Sequence, residues 1–185
     1  RVWVGDGVAN VWDYSTANWL NGESPDVFTD GNFATFDDTG SNTPAISLVG
    51  SLAPNTITVD AARDYTFGGS GKLTGAAVLT KTNTGTLTIL TTNDNSGLTI
   101  INSGTLQIGN GTVGGALGTN VIQDNGTLIW NLPGNYVIGT GITGTGRFVQ
   151  AGGGILTLSA SNSYSGGTTI SGGSLLIATG GVLGS

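Results

Sequence analysis

Carboxylates are the groups from which an active site would have to be built here, because the chain has no histidine and no cysteine. Without those residues there is no imidazole base, no thiolate, no disulfide and no Cys/His metal site. Paired carboxylates could still cleave glycosides, provided an acid and a base or nucleophile converge on one bond. Asp37-Asp38 is the only adjacent pair, and neighbours on a strand point to opposite faces, so these two do not converge. Beyond Tyr65 the only acids are Asp94 and Asp124, with Lys72, Lys81 and Arg147 as the basic groups. That set is too sparse for an acid, a base and an electrophile in one cleft, so a non-enzymatic chain is expected.

Two other constellations could bind. Asp30-Gly31-Asn32 with Asp37 and Asp38 gathers oxygen ligands around a turn, an environment suited to a hard cation such as Ca2+. It lacks the spacing of an EF-hand loop and of the GGxGxD calcium repeat. Solvated acids and turn-forming residues are therefore the simpler reading, and no cofactor is expected. Trp130 and Tyr136 flank a turn, Asn131-Leu132-Pro133-Gly134-Asn135. If both rings point outward they form a platform on which sugar can stack; if Trp130 points inward it fills the core.

The charge balance narrows the partners. Eleven acids against five bases give a net charge of −6, and with no basic cluster a nucleic-acid partner is not expected. No run of 18 apolar residues exists, so this segment is not expected to insert into a membrane. Seven of the acids and seven of the thirteen aromatics, Trp3, Trp12, Tyr14, Trp19, Phe28, Phe33 and Phe36, lie within the first 38 residues.

The rest of the chain is organised by a repeat. Gly85 to Gly109, GTLTILTTNDNSGLTIINSGTLQIG, returns as Gly154 to Ala178, GILTLSASNSYSGGTTISGGSLLIA, displaced by 69 residues without a gap. Eleven of the 25 pairs are identical, and the register extends to 75–109 against 144–178. Apolar residues alternate at period two and are punctuated by Gly and Asn, which reads as short strands and corners. A unit of this kind buries its apolar face by stacking on its neighbours. Leu87, Leu106, Leu128, Leu156 and Leu175 are spaced 19, 22, 28 and 19 residues apart. The first three intervals together equal the repeat, which predicts three coils per repeat with Leu87 and Leu156 in a shared interior column.

An all-β, parallel solenoid is therefore expected, with a β-sandwich as the structural rival. Its corners are expected to use Gly and Asn, at Asn93 and Asn162 among others, because corners need positive φ. Thr88, Thr157, Thr99 and Thr168 are expected to face out. Roughly eight coils at about 4.8 Å would make a rod about 40 Å long. Residues 1–42 are read as a Trp-rich N-terminal cap that covers the end of the stack, and 43–185 as the repeats. The start at Arg1 and the stop at Ser185, inside another repeat junction, read as a piece of a longer chain.

The repeated stretch resembles the autotransporter-associated β-strand repeat, or passenger-associated transport repeat. Its pattern is approximately G-x-L-T-L-x-x-x-N-x-Y-x-G-x-T-x-I-x-x-G-x-L-x-x-G. The second copy matches through Gly154, Leu156, Leu158, Asn162, Tyr164, Gly166, Thr168, Ile170, Gly173 and Leu175, while the first has Asn95 where Tyr is usual. The resemblance implies a right-handed parallel β-helix, secreted or held at the bacterial cell surface, with no catalysis assigned to the repeat. The expected role is a rigid spacer or scaffold whose partners are flanking domains of the same polypeptide. The alternative is a carbohydrate-binding module, tied to polysaccharide through Trp130 and Tyr136, on a secreted polysaccharide-degrading enzyme.

Overall fold

Alternating apolar residues, β-branched side chains and frequent glycine leave no stretch suited to a helix. In the computed structural model, which describes residues 1–40 and 45–184, every regular element is a strand. The strands wind into a parallel β-solenoid of about seven turns. At about 4.8 Å per turn the stack is about 34 Å long, one coil fewer than the spacing predicts. The expected boundary between residues 42 and 43 lies outside the described residues.

The solenoid has three faces. Face I stacks Phe33–Asp37, Thr56–Asp60, Val78–Thr82, Thr99–Ile101, Ile122–Asp124 and Ile142–Thr143 in parallel. Face II stacks Ala45–Leu48, Tyr65–Gly69, Thr86–Ile89, Thr105–Ile108, Thr127–Trp130, Arg147–Gln150 and Thr168–Ile170. Face III is split. Ser51–Leu52 pairs with Lys72–Leu73, while Tyr136–Ile138, Ile155–Leu158 and Ser174–Ile177 form a separate ladder.

Side chains alternate in and out along each strand, so aligned registers become columns in the core. On face II Tyr65, Leu87, Leu106, Leu128 and Phe148 form one such column, all buried. Leu156 is not part of it. That residue sits on face III between Tyr136 and Leu175, so the two leucines of the repeat share an interior but not a column. Three coils carry the chain from Leu87 to Phe148, which is 61 residues. The repeat of 69 exceeds this by one strand and its turn, and the second copy lands one face further round. The 28-residue interval before Leu156 is a coil plus a face, not a long coil.

Other expectations shift for the same geometric reasons. Thr99 faces inward, aligned with Leu79 and Ile122, because Ile101 two residues on is also inward. Glycine is required for two different causes. Gly104 and Gly173 have positive φ, at 71° and 54°. Gly97, by contrast, lies where the previous coil approaches: a Cβ there would stand 2.1 Å from the Ala77 carbonyl oxygen.

Asn93 and Asn162 are not positive-φ corners; among the described residues Asn10 and Asn83 are the two asparagines with positive φ. Instead the buried amide of Asn93 bridges coils. Its Oδ1 accepts from Leu73 N at 2.9 Å, and its Nδ2 donates to Ala116 O at 3.1 Å. Asn162 does the same between Ile142 N (2.9 Å) and Val182 O (2.6 Å). The side chain supplies the rungs where the strands stop. Asn93→Ala leaves the buried Leu73 N–H unmet, since Ala116 O keeps its bond from the residue 93 backbone N–H, and is expected to cost about 2 kcal/mol in urea unfolding. A cost near zero would mean that the bridge is dispensable.

The N-terminal section closes the stack. Val2–Trp3 lies parallel to Phe33–Asp37 but antiparallel to Trp19–Asn21, which pairs antiparallel with Ser24–Asp26. This last strand contains Pro25, which lacks an N–H, and Asp26, paired with Arg1 at 2.8 Å. Both features blunt an exposed sheet edge. Trp3, Trp12, Trp19, Phe28 and Phe36 are all fully buried beneath it.

Candidate functional site

Trp130 ends its strand two residues after Leu128 and takes the inward position, in register with Ile108 and Gln150. It is 2% exposed, so its ring fills the core and does not join an outward platform. Tyr136 opens the next strand in a column that also points inward, aligned with Leu156. It stays half-buried because the coil before it does not cover it. The two rings are 6.0 Å apart and tilted by 38°. Burial raises the Tyr136 hydroxyl pKa above its ordinary value.

What leaves Tyr136 uncovered is the break in face III. Residues 109–115 loop outward through the positive-φ residues Gly109 and Gly111, with Asn110 Oδ1 accepting from Val113 N at 2.7 Å. Residues 131–135 turn through Pro133-Gly134, where no proline N–H is available to pair. No backbone hydrogen bond joins 112–120 to 132–140. A groove opens between these walls as two cavities, one on each side of Tyr136. The first, of about 360 Å³, is lined by Leu117, Gly118, Thr119, Ile122 and Trp130 together with 136–140. The second, of about 380 Å³, is lined by Thr92, 114–116 and 132–136. Both fall in the range of roughly 300–1,000 Å³ found for ligand sites.

The candidate metal ligands do not converge. Asp30 Oδ1 accepts from the Tyr14 hydroxyl at 2.8 Å and from Ala53 N at 2.9 Å, which ties the cap to the first coil. Burial and Asp30 push the Tyr14 pKa up to about 12. Asp37 accepts from Thr39 within its own turn. Asp38 accepts from Ala62 N and Arg63 N, at 3.0 and 3.1 Å, and these bonds hold its pKa below the ordinary value. Among the described residues no three acids are placed to hold a metal ion.

Two charged side chains that composition would place in solvent are instead buried. Lys81, Ile101 and Asp124 align as one column of face I, with both charged residues fully buried. Lys81 Nζ donates to the carbonyls of Thr82 and Asn83, and desolvation lowers its pKa. Asp124 Oδ1 accepts from Gly126 N at 3.0 Å, while Oδ2 has no partner. Desolvation raises the Asp124 pKa to about 6. Alternation with Leu79 and Ile122 was the available signal, since both charged residues sit two positions from an inward apolar one.

Residues 79–108 and 148–177 both match the model of the passenger-associated-transport-repeat family. The chain carries two passenger-associated transport repeats. It is also 35% identical, over 150 residues, to the adhesin BmaC autotransporter of Brucella suis biovar 1 (strain 1330). That match covers 63% of this chain and 4% of the relative, so the chain spans a small fraction of the curated protein. No solved structure matches. The first transport repeat runs from Leu79 on face I to Ile108 on face II, and the second from Phe148 on face II to Ile177 on face III. Apart from Thr92, the residues that line the groove lie between the two matched stretches.

Proposed function

We propose that the chain is a non-catalytic module of a surface-displayed bacterial protein, serving as a rigid spacer and scaffold within a much longer polypeptide. The observation that carries this reading is the unbroken parallel ladder of face II, from Val11–Trp12 to Thr168–Ile170, over a continuous apolar core. A ladder of this kind resists bending because every strand between its two ends is bonded on both sides. The likeness to an autotransporter adhesin supports display at the cell surface. The sparse, separately engaged acids support a role without catalysis.

Tandem copies displayed on a bacterium test the proposal. An N-terminal tag should rise above the membrane by about 34 Å per added copy, from about 4.8 Å per turn, as read by fluorescence distance measurements. A tag height that does not grow with copy number rejects the spacer. Glycan binding in the groove would draw on one half-buried ring, that of Tyr136. It enters below as an outcome of the groove experiment.

A further inference from the structure

The break in face III has two edges, and their hydrogen-bonding groups point at each other. Ser159 N donates to Ile138 O at 3.1 Å, so Ile138 addresses the strand Ile155–Leu158. Successive residues of a parallel strand address opposite neighbours, and Val137 therefore turns its N–H and C=O into the groove. Gly141 obeys the same alternation, with its carbonyl accepting from Ile122 N at 3.0 Å where pairing between the two coils resumes. On the other wall, Ala116 bonds back to the preceding coil, through Thr91 O at 3.0 Å and Asn93 N at 3.2 Å. Leu117, the next residue, makes no backbone hydrogen bond to any described residue. No backbone hydrogen bond crosses between Leu117 and Val137.

The groove floor is apolar, with Leu117, Ile122, Trp130 and Ile138 buried and Tyr136 between the two cavities. No charged side chain lines either cavity. We propose that an extended peptide segment of another polypeptide, apolar at alternate positions, adds here as the missing strand of face III, paired with Val137 and Leu117 and packed on Trp130 and Tyr136. Strand addition of this type draws its affinity from main-chain bonds and its specificity from pockets for alternate side chains. The unmet groups are main-chain groups spaced for a strand, which favours a peptide over a sugar chain.

The test uses the whole chain and a capped peptide copied from residues 86–91, Thr-Leu-Thr-Ile-Leu-Thr, in which Leu87 and Ile89 take alternate positions. In the free protein the Val137 amide should exchange like an exposed one, and saturating peptide should slow it about tenfold. Val137→Pro removes the N–H, which has no partner among the described residues, and should abolish peptide binding measured by calorimetry. Val137→Thr keeps the N–H and should bind as the parent does. If Val137→Pro alters the circular dichroism, the exchange result and Val137→Thr decide. Four outcomes overturn the proposal: a Val137 amide protected without peptide, no binding of the peptide, full binding by a folded Val137→Pro chain, or protection of Val137 by polysaccharide and not by peptide.

Discussion

Trp12→Ala is expected to lower the unfolding free energy by about 4 kcal/mol, near the middle of the range for emptying a buried tryptophan site. Trp12 is fully buried and lies within 5.1 to 5.8 Å, centroid to centroid, of Trp19, Phe28, Phe36 and Phe67. Phe67 belongs to the solenoid and Trp19 to the cap, so one ring joins the two. The cavity would separate them and expose the end of the stack, so the variant should also self-associate more readily in light scattering. Trp12→Phe should cost much less, because the indole N–H is buried without a partner and nothing is lost with it. Equal losses in the two variants would show that a group other than the ring volume holds the cap.

Asp124→Asn is expected to stabilise the protein above about pH 7 and to leave it unchanged below about pH 4. The folded pKa of about 6 lies above the ordinary 3.8, because burial penalises the charged form and Oδ2 has no donor to offset that. Below 3.8 the group is protonated in both states and contributes no difference. As pH rises from there to about 6, the unfolded chain releases the proton while the folded chain retains it, and stability falls. The loss levels off at about 3 kcal/mol, from about 1.4 kcal/mol per pKa unit. Denaturant unfolding of both proteins across this range should show the difference open with rising pH. A constant difference would place the carboxylate in contact with solvent or with a cation.

The strand period and the stacked architecture were legible because Leu and Ile recur at alternate positions between glycines, a pattern that only neighbouring coils can bury. The face on which each copy sits was not. Each of the three faces accepts the same in-out alternation, so the sequence of the motif carries no label for Leu87 on one and Leu156 on another. The chain length between the copies holds that information, and it becomes readable only once Phe148 is recognised as the successor of Leu128. Asn93 and Asn162 were legible as equivalent positions, but their bridges join residues 20 or more apart and are invisible to local turn rules. Lys81 and Asp124 went unread as core residues because isolated charge normally stays in water. The Pro-Gly turn at 133–134 marked a departure from the motif, although the open edge beside it depended on the equally irregular 109–115.

The mismatch between repeat length and coil length has a consequence for display. A side chain fixed at one place in the motif points in a new direction each time the motif recurs, like successive steps of a spiral stair. About three recurrences, or ten turns, would bring it back to its first bearing. An array extended by copying this motif would thus present its contacts all round its circumference, open to neighbours approaching from any side.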